Sequence, residues 1–287
     1  MAVNDVSPGA MVCRATVSMD TILQIQIEGS DHAVLNRAVG RAFNLAEKLC
    51  RQFSRFETGG EIGRLNAGRS PFAASARLRR LLGIAFRINR ASGNAFSASP
   101  KTALFDDVAF RADGRTIERL HPGTDIDLGA IAKGFIIDEI VASLRRDGVR
   151  SGLVNAGGDV RAFGHRTWPI RMRHPLRPSD SIGCVRLRDA ALCVSAQTFR
   201  PSHILDPRRG DVARGRTAAA AAIARTAAKA DAWATALFVR GRQGLETWFH
   251  HDRMAGPVAG LVAERHPTRG LLVWKSKLFH LRRGPEN

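Results

Sequence analysis

The chain has 287 residues, 44% of them hydrophobic, enough to bury one sizeable core or two that share a cleft, which excludes disorder for the bulk of it. It carries 44 Lys and Arg against 26 Asp and Glu, a formal charge of +18, which favours anionic partners without naming one. Aromatic residues make up only 6% and the arginines are scattered without a recognition motif, so no nucleic-acid partner is expected.

The N-terminus, MAVNDVSPGAMVCRATV, has neither the basic start nor the apolar stretch of a signal peptide, and no apolar run approaches the roughly 20 residues of a membrane span. The expectations are a cytoplasmic protein, a single domain over residues 1–287 and a loosely attached segment over 1–16. From Thr21 to Ile27 apolar and polar residues alternate, which predicts a half-buried strand. A helix follows, with Asp31 placed to cap it and Leu35, Ala38, Val39, Ala42, Phe43, Ala46, Leu49, Cys50 and Phe53 on one stripe. A second helix is predicted over Ala76 to Ala91 and a third over Gly129 to Arg146, where Gly148 supplies a stop.

Beyond the third helix, short strands are predicted near Cys184 to Arg188, Ala191 to Ser195, Val258 to Glu264 and Leu271 to Lys275, and a helix over Ala230 to Arg240. The alanine-rich stretch Ala218 to Ala228 suits a helix by propensity and a strand by its neighbours. Strands and helices mix without strict alternation, which points to an α+β fold. The cysteines Cys13, Cys50, Cys184 and Cys193 form no metal-ligand cluster or dense disulfide framework, in keeping with a reducing compartment.

Five segments bear on chemistry. In DLGAIAKG, Asp127 to Gly134, an acidic residue and a glycine lead into an amphipathic helix whose free amides suit a phosphate, with Lys133 one turn in; an ordinary capped helix reads equally well there. In NAGGD, Asn155 to Asp159, paired glycines permit positive φ and close backbone approach, as a plain β-turn also would. In HILDP, proline restrains a loop carrying His203 and Asp206. In ADAWAT, Asp231 and Thr235 share a helix face as oxygen donors for a hard cation such as magnesium, with an N-cap and a core threonine as the alternative. The loop SRFETGGEIGRLN, from Ser54 to Asn66, specifies no ligand by its chemistry.

In this order and spacing the five segments resemble the FAD:protein FMN transferases, the ApbE-type flavin transferase family, over roughly Val17 to Lys275. The resemblance implies a two-lobed α+β, T-fold-like architecture with FAD in the inter-lobe cleft. It also implies a magnesium ion held by the main-chain oxygen of Ala130 and the side chains of Asp231 and Thr235. FAD contacts carry over to Met19, Phe56, Ala95, Phe96, Ser97, Asp127 and Lys133, and the acid/base role to His203. The implied reaction moves FMN from FAD to a threonine of an acceptor flavoprotein, with AMP leaving; an FAD pyrophosphatase and a non-catalytic FAD-binding protein are the alternatives.

The chain also departs from the family pattern. Asp20 stands where the family has a glycine, Phe96-Ser97-Ala98-Ser99 replaces Phe-Asp-Pro-Thr, Arg209 replaces a threonine, and the stretch from Ser195 to His203 is short.

Overall fold

The computed structural model describes residues 10–68, 71–99, 108–110, 114–121, 123–197, 203–248 and 259–282. The first part of the chain gives strands β1 (Ala10–Ser18) and β2 (Thr21–Gly29), helices α1 (His32–Phe53) and α2 (Glu61–Ala67), strand β3 (Phe72–Ala73), helix α3 (Ala76–Ala91), strands β4 (Val108–Phe110) and β5 (Thr116–Arg119), and helix α4 (Ala132–Arg146). Then come strands β6 (Ser151–Ala156), β7 (Asp159–Phe163), β8 (Trp168–Arg173), β9 (Ser181–Leu187), β10 (Ala191–Ala196), β11 (Leu205–Asp206), β12 (Asp211–Val212) and β13 (Thr217–Ala224). Helix α5 (Ala227–Trp248) and strands β14 (Ala259–His266), β15 (Gly270–Lys275) and β16 (Leu281–Arg282) complete it.

The centre is an eight-stranded sheet in the order β1-β2-β6-β7-β10-β13-β14-β15, and every neighbouring pair in it is antiparallel. One face packs against α1, α4 and α5, with α3 lying on α5, around a large core that includes Leu23, Ile25, Ile27, Phe135 and Trp233. The opposite face of β7, β10, β13 and β14 builds a second core with Trp168, Met172 and Phe279, closed by the three-stranded sheet β16-β9-β8. Two cores on opposite faces of one sheet realise the expected α+β class.

The helices form for the reasons the periodicity gave. Asp31 accepts from the amides of Ala33 at 2.7 Å and Val34 at 3.1 Å, capping α1, whose buried stripe is Leu35, Ala38, Val39, Ala42, Ala46, Leu49 and Phe53. Helix α3 spans the predicted residues, with Ser75 as its cap. The predicted end of the last helix, Arg240, marks a real break: α5 continues to Trp248, but Gly241 takes φ 57° and ψ −146° between the two parts.

Two expectations are corrected and one open reading is decided. Residues 10–16 are not loosely attached, because β1 pairs with β2 along its whole length; as an edge strand with only Val12 buried it lacks the alternation that marks a half-buried strand, while residues 1–9 lie outside the described residues. The third helix starts at Ala132, since Gly129 to Ile131 form a turn rather than a helical lead-in. The ambiguous alanine stretch is strand β13, held between β10 and β14, and α5 begins only at Ala227. Helix propensity differs among ordinary residues by less than about 0.7 kcal/mol each, and two flanking ladders outweigh it.

The alanines of β13 are small for a reason. Ala220, Ala222 and Ala224 face the helix-side core and Ala219 and Ala221 the other, so α5 lies close upon the sheet. Ala222→Leu is expected to overpack this contact and destabilise the protein by about 1–3 kcal/mol, checked by urea unfolding; an unchanged midpoint would show that the layer has slack.

Candidate active site

Two tight turns sit side by side at one end of the sheet. The β1–β2 turn places Met19 and Asp20 at φ 55° and 56°, a left-handed pair of the kind two-residue hairpins require. Glycine is the usual solution there, and Asp20 tolerates the conformation as Asp and Asn often do. The β6–β7 turn uses Gly157 and Gly158 at φ 62° and 100°, with the Gly158 amide donating to Asn155 Oδ1 at 3.0 Å. The Gly157 amide reaches the carbonyl of Ile22 at 3.3 Å, and a Cβ at that position would strike Thr21. The NAGGD glycines thus serve both φ and approach, and Asp159 leaves the turn at the head of β7.

Asp159 is 1% exposed. Its Oδ1 accepts from the Val194 amide at 3.0 Å, and its Oδ2 lies 2.5 Å from Lys133 Nζ. Burial opposes the charge on Lys133, but the carboxylates of Asp159 and Asp231 outweigh it and hold the ammonium well above the ordinary lysine range. Asp231, 7% exposed on α5, accepts from the Gly134 amide at 3.0 Å. Burial and the neighbouring Asp159 push its carboxyl up to about 7, against the opposing pull of Lys133 and the Gly134 amide. One turn along the same helix, Thr235 Oγ1 lies 3.1 Å from Ser195 Oγ of β10.

The Gly134 amide would, in an unbroken helix, close onto the carbonyl of Ala130. It turns instead to Asp231, while the neighbouring amides of Ala132 and Phe135 keep their bonds to Leu128 and Ile131. The Ala130 carbonyl thereby does not receive the Gly134 amide that an unbroken helix would give it. A carbonyl, a carboxylate and a hydroxyl are the donors a hard cation takes, and a carboxylate that burial leaves short of countercharge gains most from one; the set fits a magnesium ion. Among the described residues no cluster of three His, Cys, Asp or Glu could hold a metal, so any metal here depends on such mixed oxygen donors.

The other side of the α4 entrance is built by Ser54 to Asn66, read from the sequence as a loop but forming helix α2 from Glu61 onward. Asn66 clamps Ile126 through both backbone groups, its Nδ2 donating to the carbonyl and its Oδ1 accepting from the amide, each at 2.9 Å. The next residue, Asp127, donates its amide to Ala98 at 2.7 Å, accepts from the Gly129 amide at 2.9 Å and pairs with Arg55 Nε at 3.3 Å. Arg55 lies over the ring of Phe56 at 4.5 Å, and that ring is 80% exposed. Glu61, the first residue of α2, accepts from the Ser75 amide and hydroxyl and from Gln52, tying α2 to the start of α3.

The structure therefore sets Asp231 against Gly134 at the start of α4 with Lys133 in its field, puts Thr235 one turn along α5 beside Ser195, and separately joins Phe56 to Asp127 through Arg55. Ala95 and Phe96 are buried in the helix-side core, and Ser97 Oγ accepts from the Ser99 amide, so these residues form a wall behind Asp127. Met19 packs against the same core, its amide facing the Cys50 sulfur. His203 is exposed just before the β11–β12 hairpin, where Asp206 chelates Arg208 Nε and Nη2 at 2.8 and 2.6 Å. Part of the shortened stretch before it, residues 198–202, lies outside the described residues.

Sequence reasoning gave no role to Asp159, Ser195, Arg55 or Asn66. The NAGGD motif pointed to the first; the partners of the other three meet only in the fold.

This arrangement defines a class: an α+β protein with a buried carboxylate where one helix starts against another and a half-buried lysine beside it. A sequence profile of the ApbE family matches residues 97–256. An FAD:protein FMN transferase of Rhodobacter capsulatus is 33% identical over 142 residues, covering 45% of this chain and 27% of that protein. One from Treponema pallidum (strain Nichols) is 25% identical over 283 residues, covering 79% and 78%. The solved flavin transferase ApbE of Vibrio cholerae superposes with a TM-score of 0.83 at 20% identity over 94% of this chain and 98% of that one. The chain belongs to the ApbE family.

The raised Asp231 carboxyl has a consequence for stability. In the unfolded chain it titrates near 3.8 and in the native metal-free protein near 7, so across that interval the native state holds a proton the unfolded state has released. Stability of the metal-free protein therefore falls as pH rises from about 4 to 7. Asp231→Asn keeps an oxygen for the Gly134 amide and removes the titration. In chelator, the variant is expected to melt higher than the parent at pH 8 and level with it near pH 4; parallel melting curves across that range would contradict it.

Proposed function

We propose that the chain transfers FMN from FAD to a threonine hydroxyl of an acceptor flavoprotein, releasing AMP, with magnesium at the α4–α5 junction. The observation that carries this reading is the Gly134 amide given to the buried Asp231 carboxylate at the start of α4, which supports an oxygen-donor site formed by Asp231 with the Ala130 carbonyl and the Thr235 hydroxyl. Family membership and relatives named FAD:protein FMN transferase support it.

In this reading Ala130, Asp231 and Thr235 hold the magnesium ion, which supplies neutralising charge to the pyrophosphate of FAD. The amides of Ile131, Ala132, Gly134 and Phe135 at the start of α4 are taken up within the protein, so free helix amides are not what meets the phosphates there, and Lys133 supplies the positive charge in that region. Asp127 and Phe56, with Met19 and the wall of Ala95, Phe96 and Ser97, hold the flavin nucleotide. The acceptor hydroxyl oxygen forms a bond to the FMN-side phosphorus, the bond from that phosphorus to the bridging oxygen breaks, and AMP leaves with that oxygen. His203 receives the hydroxyl proton. A cation held there would need Asp231 ionised, and burial beside Asp159 raises its carboxyl, so metal affinity would rise with pH.

The test is incubation with FAD and magnesium, with and without an acceptor bearing a threonine flavinylation segment, following AMP release and flavin fluorescence of the acceptor in gels. Both signals are expected, both lost in Asp231→Ala, and transfer reduced by about 10²–10⁴-fold in His203→Ala. AMP without labelled acceptor would replace the proposal with an FAD pyrophosphatase, and FAD bound but unchanged would replace it with a binding protein.

A further inference from the structure

We infer that Asp138 is a positioning residue for the metal site, setting the place of Asp231 and Thr235 relative to Ala130. The inference rests on the metal reading above and concerns how the site is held. Its donors come from two separate pieces of chain, the turn before α4 and the inward face of α5. Their spacing is therefore decided by where α5 docks on α4, and not by either helix alone.

That dock is made at the first turn of α5. The amides of Ala227 and Ala228, which have no partner within their own helix, donate to Asp138 Oδ1 and Oδ2, each at 2.9 Å. Both oxygens of one carboxylate are used, so the cap fixes rotation of the α5 start as well as its distance. One turn earlier on α4, Gly134 lets the α5 backbone touch: a Cβ there would lie 2.5 Å from the Ala227 carbonyl carbon and 2.8 Å from the Ala228 nitrogen. On the sheet side, Cys193 Sγ donates to the Ala227 carbonyl at 3.5 Å. Asp231 then follows Ala227 by one helical turn and Thr235 by two, so a slide or twist at the cap carries both donors with it.

Asp138 itself is backed by charge. The Arg161 guanidinium, with its side chain 9% exposed, places Nε 3.9 Å from Asp138 Oδ1. Arg161 rises from β7 two residues after Asp159, so one strand supports both the Lys133 pair and the α5 cap. Magnesium demands near-ideal octahedral geometry at about 2.0–2.1 Å, and it is the ion most sensitive to a displaced donor pair. A carboxylate that touches neither metal nor substrate can in this way control metal affinity.

The experiment measures Mn²⁺ binding by electron paramagnetic resonance on the full chain in the presence of FAD, for the parent, Asp138→Asn and Asp138→Glu. FAD affinity in chelator and circular dichroism are recorded for each. Asp138→Asn keeps one acceptor and loses the other; its Mn²⁺ affinity is expected to fall about 10–100-fold, the range for residues that orient a ligand, with metal-free FAD affinity unchanged. Asp138→Glu keeps the carboxylate on a longer tether, and its affinity is expected to fall between the other two, so it decides the matter if Asp138→Asn does not fold. A folded variant binding Mn²⁺ within twofold of the parent would overturn the inference. A parent that binds no Mn²⁺ would instead overturn the metal reading beneath it.

Discussion

The close contact between the start of α5 and the first turns of α4 is the constraint on which the site depends. Gly134 permits the approach and Asp138 caps the arriving helix. The Gly134 amide is given to Asp231 rather than to its own helix. Each step gives up something locally favourable, a side chain at 134 or a helical hydrogen bond at Ala130, and each brings α5, with Asp231, against the start of α4. The alanines of β13 belong to the same constraint, since only a thin layer beneath α5 lets it lie low enough to meet α4.

Electrostatics completes the arrangement. Asp159 and Asp231 share the single positive charge of Lys133, so the junction is one charge short of balance when both carboxylates are ionised. A proton on Asp231 restores balance in the absence of metal, and a divalent cation does so while leaving the carboxylate free to act as a ligand. The same imbalance that lowers stability near neutral pH favours a cation.

Much of this was legible in the sequence. Asp231 and Thr235 fell one turn apart on a predicted helix, and the glycines of NAGGD marked a turn that the backbone conformations require. Helix stripes and caps followed from period and side-chain chemistry, as with Asp31 and the span of α3. What stayed hidden was of two kinds. Strand β1 buries too little to show alternation, and β13 is a strand only because two neighbours pair with it. Arg55, Asn66, Asp138 and Ser195 act through partners remote in sequence, the Asn66 clamp on Ile126 spanning 60 positions, and such pairings leave no local signature.

The most direct measurement is a crystal structure of the chain soaked with FAD and Mn²⁺, located by anomalous scattering. The account predicts a single manganese within about 2.1 Å of the Ala130 carbonyl, an Asp231 carboxylate oxygen and Thr235 Oγ1, next to the pyrophosphate. Manganese bound to the nucleotide alone, with Asp231 still directed only at Gly134 and Lys133 still paired to Asp159, would contradict it.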